Sequence, residues 1–271
     1  MLCKNNKKIF SVIVFLTLFF SVSGCMEGSS SQDYKADTAL DKVPMPAESK
    51  IFVNNQNIIK DIGSRGNKVK VYGYGLGDKF LNLYKERASV RQIILVEQAG
   101  NEKSVGKLFL LAKENGGNWT ELLQCKAYLG KNGIEKIREG DARTPTGDYG
   151  FLMAFGAKDD PGSQIPYTKL TDSMYLCGDK EYYNQFIDVS SLSHRCSSNS
   201  EHLLSYVPQY NYALFMDYNK ERVYGKGSGI FLHCFGNYSF TLGCVSVAEE
   251  NMIKILRTID SNARICIYAK E

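Results

Sequence analysis

The 271-residue chain contains no internal repeat, which sets aside solenoid and propeller architectures. Its most apolar stretch, "IFSVIVFLTLFF", has 12 residues and is too short to cross a bilayer as a stable helix. Net charge is also small. Lys4, Lys7 and Lys8 stand in the first 25 residues, which hold no acid, so the formal +4 drops to +1 beyond them. A near-neutral body carries no electrostatic footprint for nucleic acid, and no nucleic-acid partner is expected. Histidine is scarce. The three residues His194, His202 and His233 are the whole supply of imidazole bases. Against these absences stand 44% hydrophobic and 12% aromatic residues, enough for a substantial core and incompatible with global disorder.

The first residues read as an export signal. "MLCKNNKK" is a basic n-region, the apolar stretch follows, and "SVSGC" ends it. Val22, Ser23, Gly24 and Cys25 resemble the lipobox of bacterial lipoproteins, in which cleavage precedes the cysteine and its sulfur receives a diacylglyceryl group. The expectation is a signal peptide over 1–24, a lipid on Cys25 and an extracytoplasmic chain held at a membrane. Residues 26–50 are polar and read as a flexible tether. Residues 51–90 form an N-terminal extension, in which "DKFLNLYKERA" places Phe80, Leu83 and Tyr84 on one helical face.

From residue 91 the pattern is β-rich. "RQIILVEQ", "VGKLFLLAK", "WTELLQCKAYLG", "GDYGFLMAF", "YALFMDYN", "GIFLH" and "ARICIY" are strand candidates separated by turn signals. The fold class expected is mainly β with few helices (α+β), not a βαβ repeat. One late helix stands out in "CVSVAEENMIKILRTID". Ser246 and Glu249 have capping-box spacing, and Met252, Ile255, Leu256 and Ile259 follow at helical intervals.

Cysteine usage adds a constraint. Beyond Cys3 and Cys25 there are Cys125, Cys177, Cys196, Cys234, Cys244 and Cys266. Outside the cytoplasm an even set can form disulfides, and Cys177 with Cys196, which flank a polar stretch, is the most plausible pair. No metal site is expected, because the order His194, Cys196, His202 fits no common zinc spacing.

The chemistry concentrates in residues 229–247, "GIFLHCFGNYSFTLGCVSV". A thiol attacks carbonyls as thiolate, and a helix N-terminus after Cys244 would favour that charge. Gly243 lets the backbone turn so that amides can face an oxyanion. His233, at a strand end, would be the base, with a short loop carrying the chain from it to Cys244. The bland alternative is a buried cysteine beside a hydrogen-bonded core histidine. All three histidines precede Cys244, whereas papain-like peptidases place cysteine first.

"TLGCVS" with upstream "IFLHC" resembles the signature of the L,D-transpeptidase (YkuD-like) catalytic domain, and "EGDARTPTGDYGF", residues 139–151, resembles that family's Gly-Asp-x-x-Thr-Pro-x-Gly-x-Tyr turn. The likeness covers about residues 91–271 and suits the short-loop branch. It implies a β-sandwich with the catalytic cysteine on a loop leading into a helix. It further implies that Cys244 attacks the third residue of a peptidoglycan tetrapeptide stem and releases D-alanine. The thioester then passes to the amine of another stem, giving a 3–3 crosslink, or to water. His233 would be the base, oriented by the Cys234 carbonyl, with amides of Gly243 and Cys244 as the oxyanion hole. Thr241 would support the loop or the substrate, and Arg143 and Ser246 would serve substrate binding. No cofactor is implied. The chain departs from the pattern at Cys234, Leu242 and Ser246, where many members have Gly, His and Arg or Asn. Those departures leave open a lipid-anchored cell-wall binding protein that has lost turnover. The polar stretch from Asp172 to His202 would supply a lid or a wall.

Overall fold

The structure, a computed structural model, describes residues 72–114 and 117–270. The signal segment, Cys25, the tether and much of the N-terminal extension lie outside the described residues.

Thirteen strands and two α-helices make up the described residues. The strands are β1 (Gln92–Gln98), β2 (Val105–Lys113), β3 (Trp119–Tyr128), β4 (Gly147–Tyr149), β5 (Phe151–Gly156), β6 (Tyr167–Lys169) and β7 (Met174–Cys177). They continue as β8 (Gln185–Asp188), β9 (Glu201–His202), β10 (Ala213–Met216), β11 (Phe231–Cys234), β12 (Val245–Val247) and β13 (Arg264–Ala269). The helices are α1 (Gly77–Tyr84) and α2 (Glu249–Thr258). The mainly β expectation holds, and each strand candidate coincides with one or two of these strands.

Ten strands form one mixed sheet in the order β4-β13-β1-β2-β3-β12-β11-β10-β5-β6. A single residue, Gly150, separates β4 from β5, yet β4 is the first strand of that order and β5 the last but one. The sheet must therefore curl until its ends meet. Polar groups clasp the seam: Gly150 N–H donates to Asp217 Oδ1 at 2.8 Å and Asp217 N–H donates to the Gly150 carbonyl at 3.0 Å. Beside them Arg264 Nε donates to Asp148 Oδ1 at 2.8 Å.

Curling buries both faces of the central strands, which is why "IILV" in β1 is a continuous apolar run. Ile94 and Val96 point into the main core with Leu108, Leu110, Leu232 and Val245. Ile93 and Leu95 point the other way, under α1, with Phe80, Leu81 and Tyr84. Helix α2 covers the main core with Met252, Ile255, Leu256 and Ile259, all without exposed surface, as their spacing predicts. The segment read as a lid or wall folds as a three-stranded sheet, β8-β7-β9. Its Leu176, with Leu203 just beyond β9, joins Phe231, Phe215 and Tyr210 in a third apolar cluster.

Two expectations are corrected. The Ser246–Glu249 capping box does not form. Ser246 pairs with His233 and Tyr128 inside the sheet, so the chain stays extended through Val247. The helix starts after Ala248, which has no side-chain cap, and Glu249 bonds Lys158 and Asn211 instead. Cys244 thus leads first into a strand, and the helix comes after it. The Cys177–Cys196 bridge is not formed either, since all six cysteines among the described residues are free thiols.

Candidate active site

Strands β11 and β12 run parallel, with Leu232 beside Val245 and His233 beside Ser246. Neighbouring residues on paired strands share a face. Leu232, Cys234, Val245 and Val247 therefore face the main core. Phe231 and His233 face the opposite side, where Cys244 packs against the cluster that contains Phe231. Cys244 and His233 lie on one face of adjacent strands, two residues apart in register, about 6–7 Å along the strand direction. His194 and His202 lie elsewhere, bonded to Asp179 and to the Asp172 carbonyl respectively. His233 is the imidazole of this site.

The tautomer of His233 follows from its partner. Nδ1 lies 2.7 Å from the Cys234 carbonyl oxygen, which can only accept, so Nδ1 carries the proton and Nε2 keeps a lone pair. This is the orientation the sequence resemblance implies. Burial pushes the imidazole down to about 4, and it is neutral at pH 7. The edge-to-face ring of Tyr210, with centroids 5.5 Å apart, closes one side.

The Cys244 thiol donates to the Gly229 carbonyl at 3.2 Å and accepts from Phe231 N–H at 3.3 Å. Among the described residues, no hydrogen bond joins it to His233. Burial, and then the negative potential of Glu201, push the thiol up to about 12, while Phe231 N–H and Lys136 pull it back. The resting pair is a neutral thiol and a neutral imidazole. With no helix N-terminus directly behind Cys244, thiolate forms only as the proton moves.

The loop around the cysteine is held by hydroxyls. The Cys244 carbonyl accepts from Thr241 Oγ1 at 2.6 Å and from Thr144 Oγ1 at 3.1 Å. Thr144 belongs to the "RTPTG" block, so the two motif blocks meet at the backbone of the cysteine although 100 residues separate them. Thr144 is buried and accepts from Gly130 N–H at 2.8 Å. Gly243 has φ +152, and a Cβ there would sit 3.1 Å from both the Arg143 carbonyl oxygen and Ile230 Cδ1. A side chain would push the loop off the Arg143 turn.

The expected roles of several residues change with this geometry. Gly243 N–H donates to Thr241 Oγ1 at 3.1 Å, so in this state it is engaged inside the loop and does not face an oxyanion. Thr241 is buried and anchors the loop. Ser246, expected at the substrate, is buried in β12 beside His233. Arg143 Nη1 donates to the Ile134 carbonyl at 3.0 Å, and Arg143 borders the cysteine loop through its own carbonyl. Leu242, at a departure from the family pattern, is 73% exposed at the mouth of the loop.

Two charged groups were invisible in the sequence. Lys136 is buried and paired with Asp141 at 2.8 Å, and its Nζ lies 3.6 Å from the position of a Gly243 Cβ. Its positive charge acts on the Cys244 thiol, at the loop where an oxyanion would develop. Asp141 also accepts from the N–H groups of Ile137, Arg138 and Arg143. Burial raises its carboxyl, but these donors together outweigh that and hold it at about 2. Glu201, at the start of β9, accepts from Tyr210 O–H at 2.8 Å. Burial raises Glu201 to about 7. The sequence signal for Lys136 and Glu201 is nil, since each is one polar residue among many.

Two predictions arise here. Glu201→Gln removes the negative potential on the thiol, so the pH midpoint of Cys244 alkylation moves down; an unchanged midpoint would separate Glu201 from the thiol. Cys234→Ala keeps most activity, since only the carbonyl of that residue holds His233 and its thiol, pushed up to about 12 by burial, is inert. A loss of activity as deep as that of a Cys244 variant would contradict this.

No protein-family profile matches the chain, and no curated protein matches it. Solved structures do show similarity. An L,D-transpeptidase from Mycobacterium smegmatis is 12% identical, with TM-score 0.31, over 66% of this chain and 59% of that one. An Ldtfm–avibactam carbamoyl enzyme is 10% identical, with TM-score 0.31, over 67% and 50%. Mycobacterium tuberculosis L,D-transpeptidase 1 is 13% identical, with TM-score 0.29, over 66% and 61%. The chain thus spans one half to three fifths of the structures it matches.

Proposed function

We propose that this chain is a cysteine acyltransferase that acts on peptidoglycan stem peptides, an L,D-transpeptidase. The observation that carries the reading is the placement of His233. Its Nδ1–H is tied to the Cys234 carbonyl, and its ring shares a strand face with Cys244. That arrangement leaves a basic nitrogen for a sulfur nucleophile. The substrate class comes from the two sequence blocks.

In the reaction, Nε2 of His233 takes the Cys244 proton as sulfur bonds to the carbonyl carbon of the third stem residue. The tetrahedral oxyanion forms beside the Gly243–Cys244 loop, within the field of Lys136. Collapse breaks the bond to D-alanine, whose nitrogen receives the proton from His233. The side-chain amine of a second stem then gives its proton to His233 and attacks the thioester, which frees the thiol and closes a 3–3 crosslink. A lipid on Cys25 holds the enzyme at a membrane outside the cytoplasm, facing the wall.

The test is incubation of the full chain with tetrapeptide muropeptides. D-alanine together with a crosslinked dimer supports the transferase. D-alanine with tripeptide and no dimer assigns water as the acceptor, making the enzyme a carboxypeptidase. Neither product, under conditions where an active L,D-transpeptidase works, overturns the enzymatic reading.

A further inference from the structure

Between β8 and β9 the chain runs for 12 residues, Val189–Ser200, without strand or helix. No residue in this loop is buried, and Leu192 is exposed, so no apolar anchor fixes it. Loops of this length without structure of their own need another constraint. The side chains that turn inward include His194 and Cys196, and both converge on Cys177 at the end of β7. The donor atoms of Cys177, His194 and Cys196 lie within 4.8 Å of one another.

The spacing within the cluster matches a metal's requirements. Tetrahedral zinc with Zn–S of about 2.3 Å and Zn–N of about 2.0–2.1 Å places sulfur and nitrogen ligands about 3.5 Å apart. Cys177 Sγ and His194 Nε2 are 3.5 Å apart. Asp179 Oδ2 stands 3.1 Å from the same nitrogen, near the edge length expected between nitrogen and oxygen ligands. Asp179 is itself oriented by Ser197, whose N–H donates to it at 2.9 Å, with a further bond from the Ser197 hydroxyl. The His194 ring packs on Tyr182 with centroids 4.3 Å apart. Such outer partners orient ligands in metal sites.

We propose that Cys177, His194 and Cys196 bind one zinc ion that pins the Val189–Ser200 loop to β7, with Asp179, which contacts His194, moving in to complete the four ligands. Two thiolates and an imidazole are the donor set that selects zinc over the oxygen-loving cations. The site is structural, with four protein ligands and no place for a substrate. The loop it pins ends one residue before Glu201, so the metal also fixes the wall of the active site. Sequence spacing hid it because Cys177 reaches the other two only across the small sheet, and His202 turns away to Asp172 and Ser205.

The experiment is metal analysis of the full chain, purified without chelator in reductant after growth with zinc. One zinc per chain is expected. Cys196→Ser and His194→Ala should each lose it, and His202→Ala should keep it. Because a ligand variant can fail to fold, a second measurement uses the parent. After chelation and addition of cobalt(II), a thiolate-to-cobalt charge-transfer band should appear, and zinc should abolish it. No zinc and no cobalt band, zinc retained in both ligand variants, or a Cys177–Cys196 disulfide in chain isolated in parallel without reductant would each overturn the site. None of these readouts depends on turnover, so they stand apart from the muropeptide assay.

Discussion

Cys244→Ala is expected to leave the full chain folded and to abolish both D-alanine release and dimer formation. The sulfur makes two hydrogen bonds, to Gly229 and Phe231, and the residue is only partly buried, so its removal leaves the core intact. The chemical loss is much larger. Deleting a nucleophile costs on the order of 10⁶-fold in rate, which brings turnover to background. Circular dichroism and thermal unfolding check the fold, and chromatography of muropeptides checks the reaction. Muropeptide binding that persists in the variant is compatible with this account. Turnover that persists is not.

His233→Ala is expected to lower kcat/KM by about 10²–10⁴-fold, the contribution of a positioned general base. The pH profile of the parent reports the same group without a substitution. The imidazole must be unprotonated, and burial sets it at about 4, so activity should rise as pH passes that value. Glu201, raised by burial to about 7, ionises on the alkaline side, where its charge opposes negative charge on Cys244. Activity should therefore decline above pH 7, and Glu201→Gln should remove that decline. An acid limb near the ordinary histidine value of about 6.5 would mean that the base is an exposed imidazole and not His233.

Much of this architecture was legible because strand signals are local. The runs in β1, β2, β10, β11 and β13 declare themselves by apolar content between turns, and α2 by its periodic Met252, Ile255, Leu256 and Ile259. His233 and Cys244 stood out by residue type and chain order, and the structure puts them on one strand face. What failed was the capping box. Ser246 has the right spacing to Glu249, but its ladder partners His233 and Tyr128 hold it in the sheet, and tertiary pairing outweighs a local cap. The consequence is chemical as well as structural, since the thiol loses its supposed helix dipole and stands at about 12. The curl of the sheet was beyond reach, because it depends on Gly150 joining the first strand of the order to the last but one. Glu201, Lys136 and the convergence of Cys177 with His194 arise from contacts between distant segments, which carry no periodic signature.

The role of the "RTPTG" block illustrates the middle ground. Pro145 and Gly147 make a turn that needs no chemistry, yet Thr144 in the same turn holds the carbonyl of Cys244. The turn and the site border are one feature.

The central claim, that Cys244 carries the acyl group with His233 as base, is tested most directly by trapping the intermediate. The full chain is mixed with a tetrapeptide donor whose side-chain amine is blocked, so that no acceptor amine is present, quenched in acid, and mapped by mass spectrometry. The account predicts a tripeptide acyl adduct on the peptide containing Cys244, absent in Cys244→Ala and greatly slowed in His233→Ala. An adduct on another residue, or D-alanine release with no adduct at Cys244 on any timescale, would contradict it.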